Sequence, residues 1–328
     1  GGGDVIDNGA LIFSRSNALT VANKISGVGS LTHAGTGTLI LTGANSYTGG
    51  TTVSAGTLQL GDATDTGTIL GAVGVSAGSV LDVVKADTSG LTSILNTGDT
   101  RFYNDTGAGS AAITNNGSLG FLDTSTAGDA AITNSGTAVT DFSASTGPLG
   151  DGKLSAGSIA GGGSFVLGAN ELTVGGNGFS TTVSGVISGT GGSLVKTGSG
   201  TLTLSGVNTY GGGTTVAGGT LRLENSSAAG TGAITTTGSV IDYADGVDIA
   251  NDIILSSDTT RLNVSTGVAA QSGFILEDAS SRPLEKTGGG TLIVAAAGNS
   301  GTTTISSGTW QAANALAFSG NSAHVIAA

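Results

Sequence analysis

The residues best able to do chemistry in this chain are few and scattered. Ser76 sits in Gly74-Val75-Ser76-Ala77-Gly78, the G-x-S-x-G spacing of a serine-hydrolase elbow. That elbow needs a strand, a sharp turn and a helix, with a histidine later in the chain. No helical pattern follows Gly78, and the only later histidine is His324. His33 and His324 each stand alone, without a second histidine or a cysteine nearby to complete a metal site. Both are expected at the surface or at a corner of the fold.

The densest run of carboxylates is Asp242, Asp245, Asp248 and Asp252. Spaced aspartates could bind Ca²⁺, or do the acid and base work of polysaccharide hydrolysis. Neither a calcium-binding EF-hand loop nor a G-G-x-G-x-D repeat is present. The expectation is therefore solvated loop carboxylates, and Asp62, Asp65, Asp82 and Asp87 read the same way. Tyr47 and Tyr210 follow Asn45 and Asn208 in matching contexts. Two spaced aromatics could grip a sugar, but closing a corner is the preferred reading, with each asparagine bonding its own loop backbone. No catalytic set, cofactor motif or metal-ligand cluster converges.

The totals narrow the classes further. The chain has 328 residues, 61 of them Gly, with no Cys and a formal net charge of -12. Such an acidic chain is repelled by nucleic acid and anionic lipid, and no basic run offsets this. Without cysteine there are no disulfides and no thiolate metal sites. No apolar run approaches the ~20 residues of a membrane helix. The opening GGGDVIDNGA is not a signal peptide, and the segment reads as part of something longer.

Along the chain the pattern has a period of two. TLILTG (38–43), TLQLGD (57–62), TLTLSG (201–206) and TLRLEN (220–225) each put two apolar side chains on one face. Gly and β-branched residues are poor helix formers. The strands are short, and Gly, Asn, Ser or Asp separates them. Residues 35–61 and 198–224 are identical at 17 of 27 positions, and 288–312 are a degraded third copy. AAITNNG (111–117) returns as AAITNSG (130–136). Repeats of this size cannot bury an apolar face alone, so they stack. Leu39 recurs as Leu58, Leu41 as Leu60, Leu202 as Leu221 and Leu204 as Leu223, always at the same interval. A coil of about 19–24 residues would place each leucine above its partner, with about 14–17 coils in all. The fold class is all-β, a parallel β-helix. Leu39, Leu41, Val53, Leu58 and Leu60, with Leu202, Leu204, Val216, Leu221 and Leu223, are expected to fill the core. Gly43, Asn45, Tyr47, Gly50 and Gly56, with Gly206, Asn208, Tyr210, Gly213 and Gly219, are expected to turn the corners.

The unit G-x-G-T-L-x-L-x-G-x-N-x-Y-x-G-G-T-T-V-x-x-G-T-L-x-L closely resembles the autotransporter-associated β-strand repeat of type V secreted bacterial passenger domains. Copy three departs from it: the tyrosine is gone, one residue is missing, and Trp310 occupies the position of Leu58. The resemblance implies a right-handed parallel β-helix, continuous over 1–328 as a fragment of a longer passenger, with repeat units near 26–62, 188–225 and 279–318. It implies a non-enzymatic adhesin or stalk on the bacterial surface or released from it, acting in adhesion, autoaggregation or biofilm, with repeats that assist folding-coupled export. The implied partners are a host or abiotic surface, a glycan, or like cells. Attachment would run through a C-terminal outer-membrane barrel outside this segment. A self-assembling extracellular filament or sheath, and a β-helical polysaccharide lyase or hydrolase using the 242–252 aspartates, are the alternatives.

Overall fold

The computed structural model describes residues 3–257, 259–318, 320 and 323–326. Its strands are two to ten residues long and pair in parallel, coil upon coil, as a β-solenoid. The described helical content is one 3₁₀ turn, Ala315–Ala317, capped by Asn314. Two compact units divide the chain, Gly1–Val166 and Leu167–Ala328.

In the first unit two stacks of eight strands wall the core. One runs from Ala10–Phe13 to Ser158–Gly161, and the other from Leu19–Val21 to Ser164–Val166. Shorter pairings close a third side, such as Val5–Ile6 with Ile25–Gly27 and Gly67–Thr68 with Ala86–Asp87. In the second unit one stack of eight runs from Thr181–Val183 to His324–Ile326. The other stack runs from Glu171–Val174 to Thr309–Ala312, and Asp248–Ile249 also pairs with Val268–Glu277.

The leucine spacing fixes the register. Leu39 pairs with Leu58 and Leu41 with Leu60. Leu202 pairs with Leu221 and Leu204 with Leu223. All eight are at most 2% exposed, so each leucine pair lies stacked inside the core. The AAITN copies stack the same way, Ala112 on Ala131 and Asn115 on Asn134. Coil length varies more widely than the leucine interval predicts. Ala131 pairs with Ser158, a longer step than any in the repeats, whereas Leu292 pairs with Trp310, a shorter one. Corners absorb the difference, because only the strands must keep register.

Candidate functional site

The serine candidate lacks its setting. Gly71–Val75 ends just before half-buried Ser76, and a turn leads directly into the strand Val80–Val83. This is strand–turn–strand, with no helix to present the hydroxyl. His33 is not at the surface. It is 2% exposed on Ser30–His33, facing inward, with Nε2 3.0 Å from Gly37 O. His324 lies exposed on His324–Ile326, packed edge-on to Phe318 at 4.8 Å between ring centroids.

The aspartates do not converge either. Asp242 is not a loop carboxylate: it stands on the strand Val240–Tyr243 and is 8% exposed. It is ion-paired with Arg222 and accepts from Asn263 Nδ2 at 2.6 Å. Asp245 and Asp252 accept backbone N–H bonds from Val268 and Phe274, each at 2.8 Å, and Asp248 is exposed. Asp82 also sits on a strand, held by Arg101 Nε at 2.7 Å and Nη2 at 3.1 Å. Burial nevertheless raises its pKa, with the Arg101 bonds opposing. Asp62 closes a turn by accepting from Thr64 N and Asp65 N, while Asp65 is exposed in that turn and Asp87 is exposed beyond it. Among the described residues no three His, Cys, Asp or Glu side chains gather as metal ligands.

What does converge is the repeat corner. Ile25 N donates to Asn45 Oδ1 at 3.0 Å, and Asn45 Nδ2 donates onward to Thr68 O at 3.4 Å. In copy two Ile187 N donates to Asn208 Oδ1 at 2.7 Å, and Asn208 Nδ2 to Ala228 O at 2.6 Å. These asparagines therefore bond the coils before and after, not their own loop. Each is 2% exposed and satisfies backbone groups that no strand ladder serves. Tyr47 and Tyr210 are buried beside them, sharing hydrogen bonds with Thr51 Oγ1 (2.6 Å) and Thr214 Oγ1 (2.5 Å). Burial pushes the Tyr47 phenol up to about 12, against the Thr51 bond that lowers it. Burial raises Tyr210 as well. Copy three has no tyrosine, and there Asn299 Nδ2 takes the matching hydroxyl, Thr303 Oγ1, at 3.1 Å. Val53 and Val216 are fully buried next to these corners.

The glycines of the corner divide by cause. Gly50, Gly56, Gly213 and Gly219 have positive φ of 84°, 60°, 89° and 63°, a backbone region that side chains disfavour. Gly43 and Gly206 do not. A Cβ on them would lie 2.3 Å from Asn23 O and 2.0 Å from Gly185 O of the preceding coil. Close approach of stacked backbones, rather than turning, requires them.

Sequence reasoning missed the residue that opens each copy. SLTH (30–33), SLVK (193–196) and PLEK (283–286) place His33, Lys196 and Lys286 at one equivalent, inward position. Lys196 is 1% and Lys286 0% exposed. Lys196 Nζ donates to Thr197 O (2.6 Å) and Gly198 O (3.1 Å), and to Gly218 O of the next coil at 3.1 Å. Lys286 Nζ repeats this on Thr287 O (2.6 Å), Gly288 O (2.9 Å) and Ser307 O (3.3 Å). Three donors meet three carbonyls, so the ammonium ties a corner to its neighbour. Desolvation lowers both lysine pKa values. The signal available was the shared spacing before the G-x-G corner, hidden because lysine normally reads as surface.

Residues 31–60, 194–223 and 284–311 match the family model of the passenger-associated-transport-repeat. Each match opens just before the buried His33, Lys196 or Lys286. Over 87 residues, 26% of this chain, the sequence is 39% identical to the adhesin BmaC autotransporter of Brucella suis biovar 1 (strain 1330). That stretch spans only 2% of the relative's length. No solved structure matches. A register of stacked leucines, corner asparagines that bridge coils and three matches to one repeat agree: this chain is a β-solenoid that carries three copies of the passenger-associated-transport-repeat.

Proposed function

We propose that the segment is a non-enzymatic adhesin or adhesin stalk, displayed on the bacterial surface or released from it. The observation that carries this reading is the threefold transport repeat, supported by the partial likeness to an autotransporter adhesin. Asp242, Asp245 and Asp252 are engaged in an ion pair and backbone hydrogen bonds, and His33 is packed inward, which fits a binding or spacing role. Its partners are a host or abiotic surface, a glycan, or like cells, and it acts in adhesion, autoaggregation or biofilm. The repeats assist export, since a solenoid can fold coil by coil as chain emerges. Anchoring by a membrane β-barrel outside this segment belongs to the same proposal. Cells displaying the passenger with and without residues 26–318 would be compared for surface binding and settling. Reduced adhesion after deletion, with display intact, supports the reading; unchanged adhesion reduces the segment to a spacer.

A further inference from the structure

One face of the first unit differs from the rest. Its eight strands, from Ala10–Phe13 to Ser158–Gly161, carry no Asp, Glu, Lys or Arg. His33, their one titratable residue, points inward. The other eight-stranded wall of the same unit carries Asp82, Asp99, Arg101, Asp123 and Asp141. On a chain of net charge -12, the uncharged face is where a second copy meets least electrostatic repulsion.

Its central outward column is read off the pairing register. It begins Ile12, Thr32, Thr52, Gly74. It continues Leu95, Thr114, Thr133, Ala160. Ile12 is 60% and Leu95 52% exposed, although both are aliphatic. Gly74 is the counterpart. Glycine weakens a strand interior, and where it persists it marks a bulge or the close approach of something else. The register is regular at Gly74, its φ is not positive, and a Cβ there would meet nothing within 4 Å. Nothing within the chain requires glycine here.

Turning the column end for end about its midpoint sets large against small at its centre and at its ends, and threonine against threonine between them. Leu95 falls on Gly74, Ile12 on Ala160, and Thr32 and Thr52 on Thr133 and Thr114. The neighbouring column is Ala and Ser at its paired positions. A two-fold interface must be complementary to itself in this sense. We infer that this face pairs with the same face of a second copy, antiparallel, with Leu95 of each seated on Gly74 of the other.

The inference deepens the adhesin reading by naming like chains as a partner of the surface, and it rests on that reading for its setting. Seven spacings of ~4.8 Å by about 10 Å of strand give a face of roughly 350 Å². Two such faces fall below the ~1,200 Å² of standard complexes, so the pairing is weak and depends on many copies acting together.

The test uses the purified chain, free of cells, so its outcome is separate from that of the adhesion assay. Sedimentation velocity at rising concentration should show reversible dimers. Gly74→Arg should lower the association constant about tenfold or more, because the symmetric contact contains the notch twice. Circular dichroism and melting should stay unchanged, because the new side chain points into open space. The absence of native cysteine makes cross-linking unambiguous. Thr52 and Thr114 lie three strands apart, about 14 Å, too far for a disulfide within one chain. The double variant Thr52→Cys, Thr114→Cys should therefore form intermolecular disulfides, faster than Thr52→Cys alone and faster than the exposed control Thr182→Cys. A chain that stays monomeric at about millimolar concentration, association indifferent to Gly74→Arg, or cross-linking no faster than the control would each overturn the inference. So would a monomer that instead sediments with an insoluble polysaccharide.

Discussion

Tyr47 shows how much a single corner residue can do. Its ring fills the corner, its hydroxyl shares a hydrogen bond with Thr51, and burial holds the phenol at about 12. The unfolded phenol ionises at about pH 10. The folded pKa is the higher of the two, so the stabilisation is fully present below about pH 10. It is lost as pH rises from there through about 12. A gap of this size corresponds to roughly 2–3 kcal/mol at most. Tyr47→Phe should melt lower at about pH 8, by about 1 kcal/mol, through loss of one buried hydrogen bond. Between about pH 10 and 12 its stability should fall less steeply than that of the parent chain. Parallel slopes in thermal melts would remove the linkage. At this scale the corner tyrosines and leucines were legible, because their spacing repeats. The partners of Asn45 and Asn208 were not, since a bond to a residue a full coil away leaves no local trace. The buried lysines were hidden for another reason: only the carbonyls of a folded corner make that burial tolerable.

At the scale of elements, ladders of like side chains hold successive strands in register. In the first unit Asn96 Nδ2 donates to Asn115 Oδ1 at 2.8 Å, and Asn115 Nδ2 to Asn134 Oδ1 at 3.0 Å. Each asparagine also donates to a backbone carbonyl further along: Ser118, Val139 and Ser164. Beside them Phe102, Phe121 and Phe142 stack at 5.3 and 5.0 Å between centroids. On Ala112–Asn115 and Ala131–Asn134 the strand alternation sets the last asparagine on the same buried face as Ile113 and Ile132. Asn115→Ala removes the middle rung, leaving Gly117 N and Val139 O without their side-chain partner. We expect a loss of about 3 kcal/mol in denaturant unfolding, since buried groups stranded this way cost ~1–3 kcal/mol each. A loss under about 0.5 kcal/mol, the range of ordinary surface substitutions, would show that the ladder is not a stabilising feature. Gly219→Ala is a separate test of the corner. With φ of 63° and a new Cβ 2.4 Å from Gly200 O, it should cost at least about 1–3 kcal/mol, whereas Gly74→Ala should cost almost nothing.

At the scale of the molecule, each coil touches only its neighbours, so a defect should stay where it is made. Hydrogen exchange of the Asn115→Ala variant should accelerate over residues 91–145 and leave 284–311 at parent rates. Acceleration along the whole chain would instead mean a single cooperative unit. The parallel stacked architecture was readable from the repeats alone. The range of coil lengths was not, because the long coil ending at Ser158 keeps strand register while its corner grows freely.

The register has one further consequence. Residues such as Thr114 and Thr133 lie a full coil apart in sequence and side by side in space. The outer surface is thus written in columns, while the gene is written in rows. A saturation mutagenesis map of this chain should be autocorrelated at a lag of one coil, buried columns intolerant and exposed ones permissive. Duplicating or deleting a whole coil by recombination changes the length of a column without altering what it displays. Such a surface can be lengthened by copying, with no residue in the core redesigned.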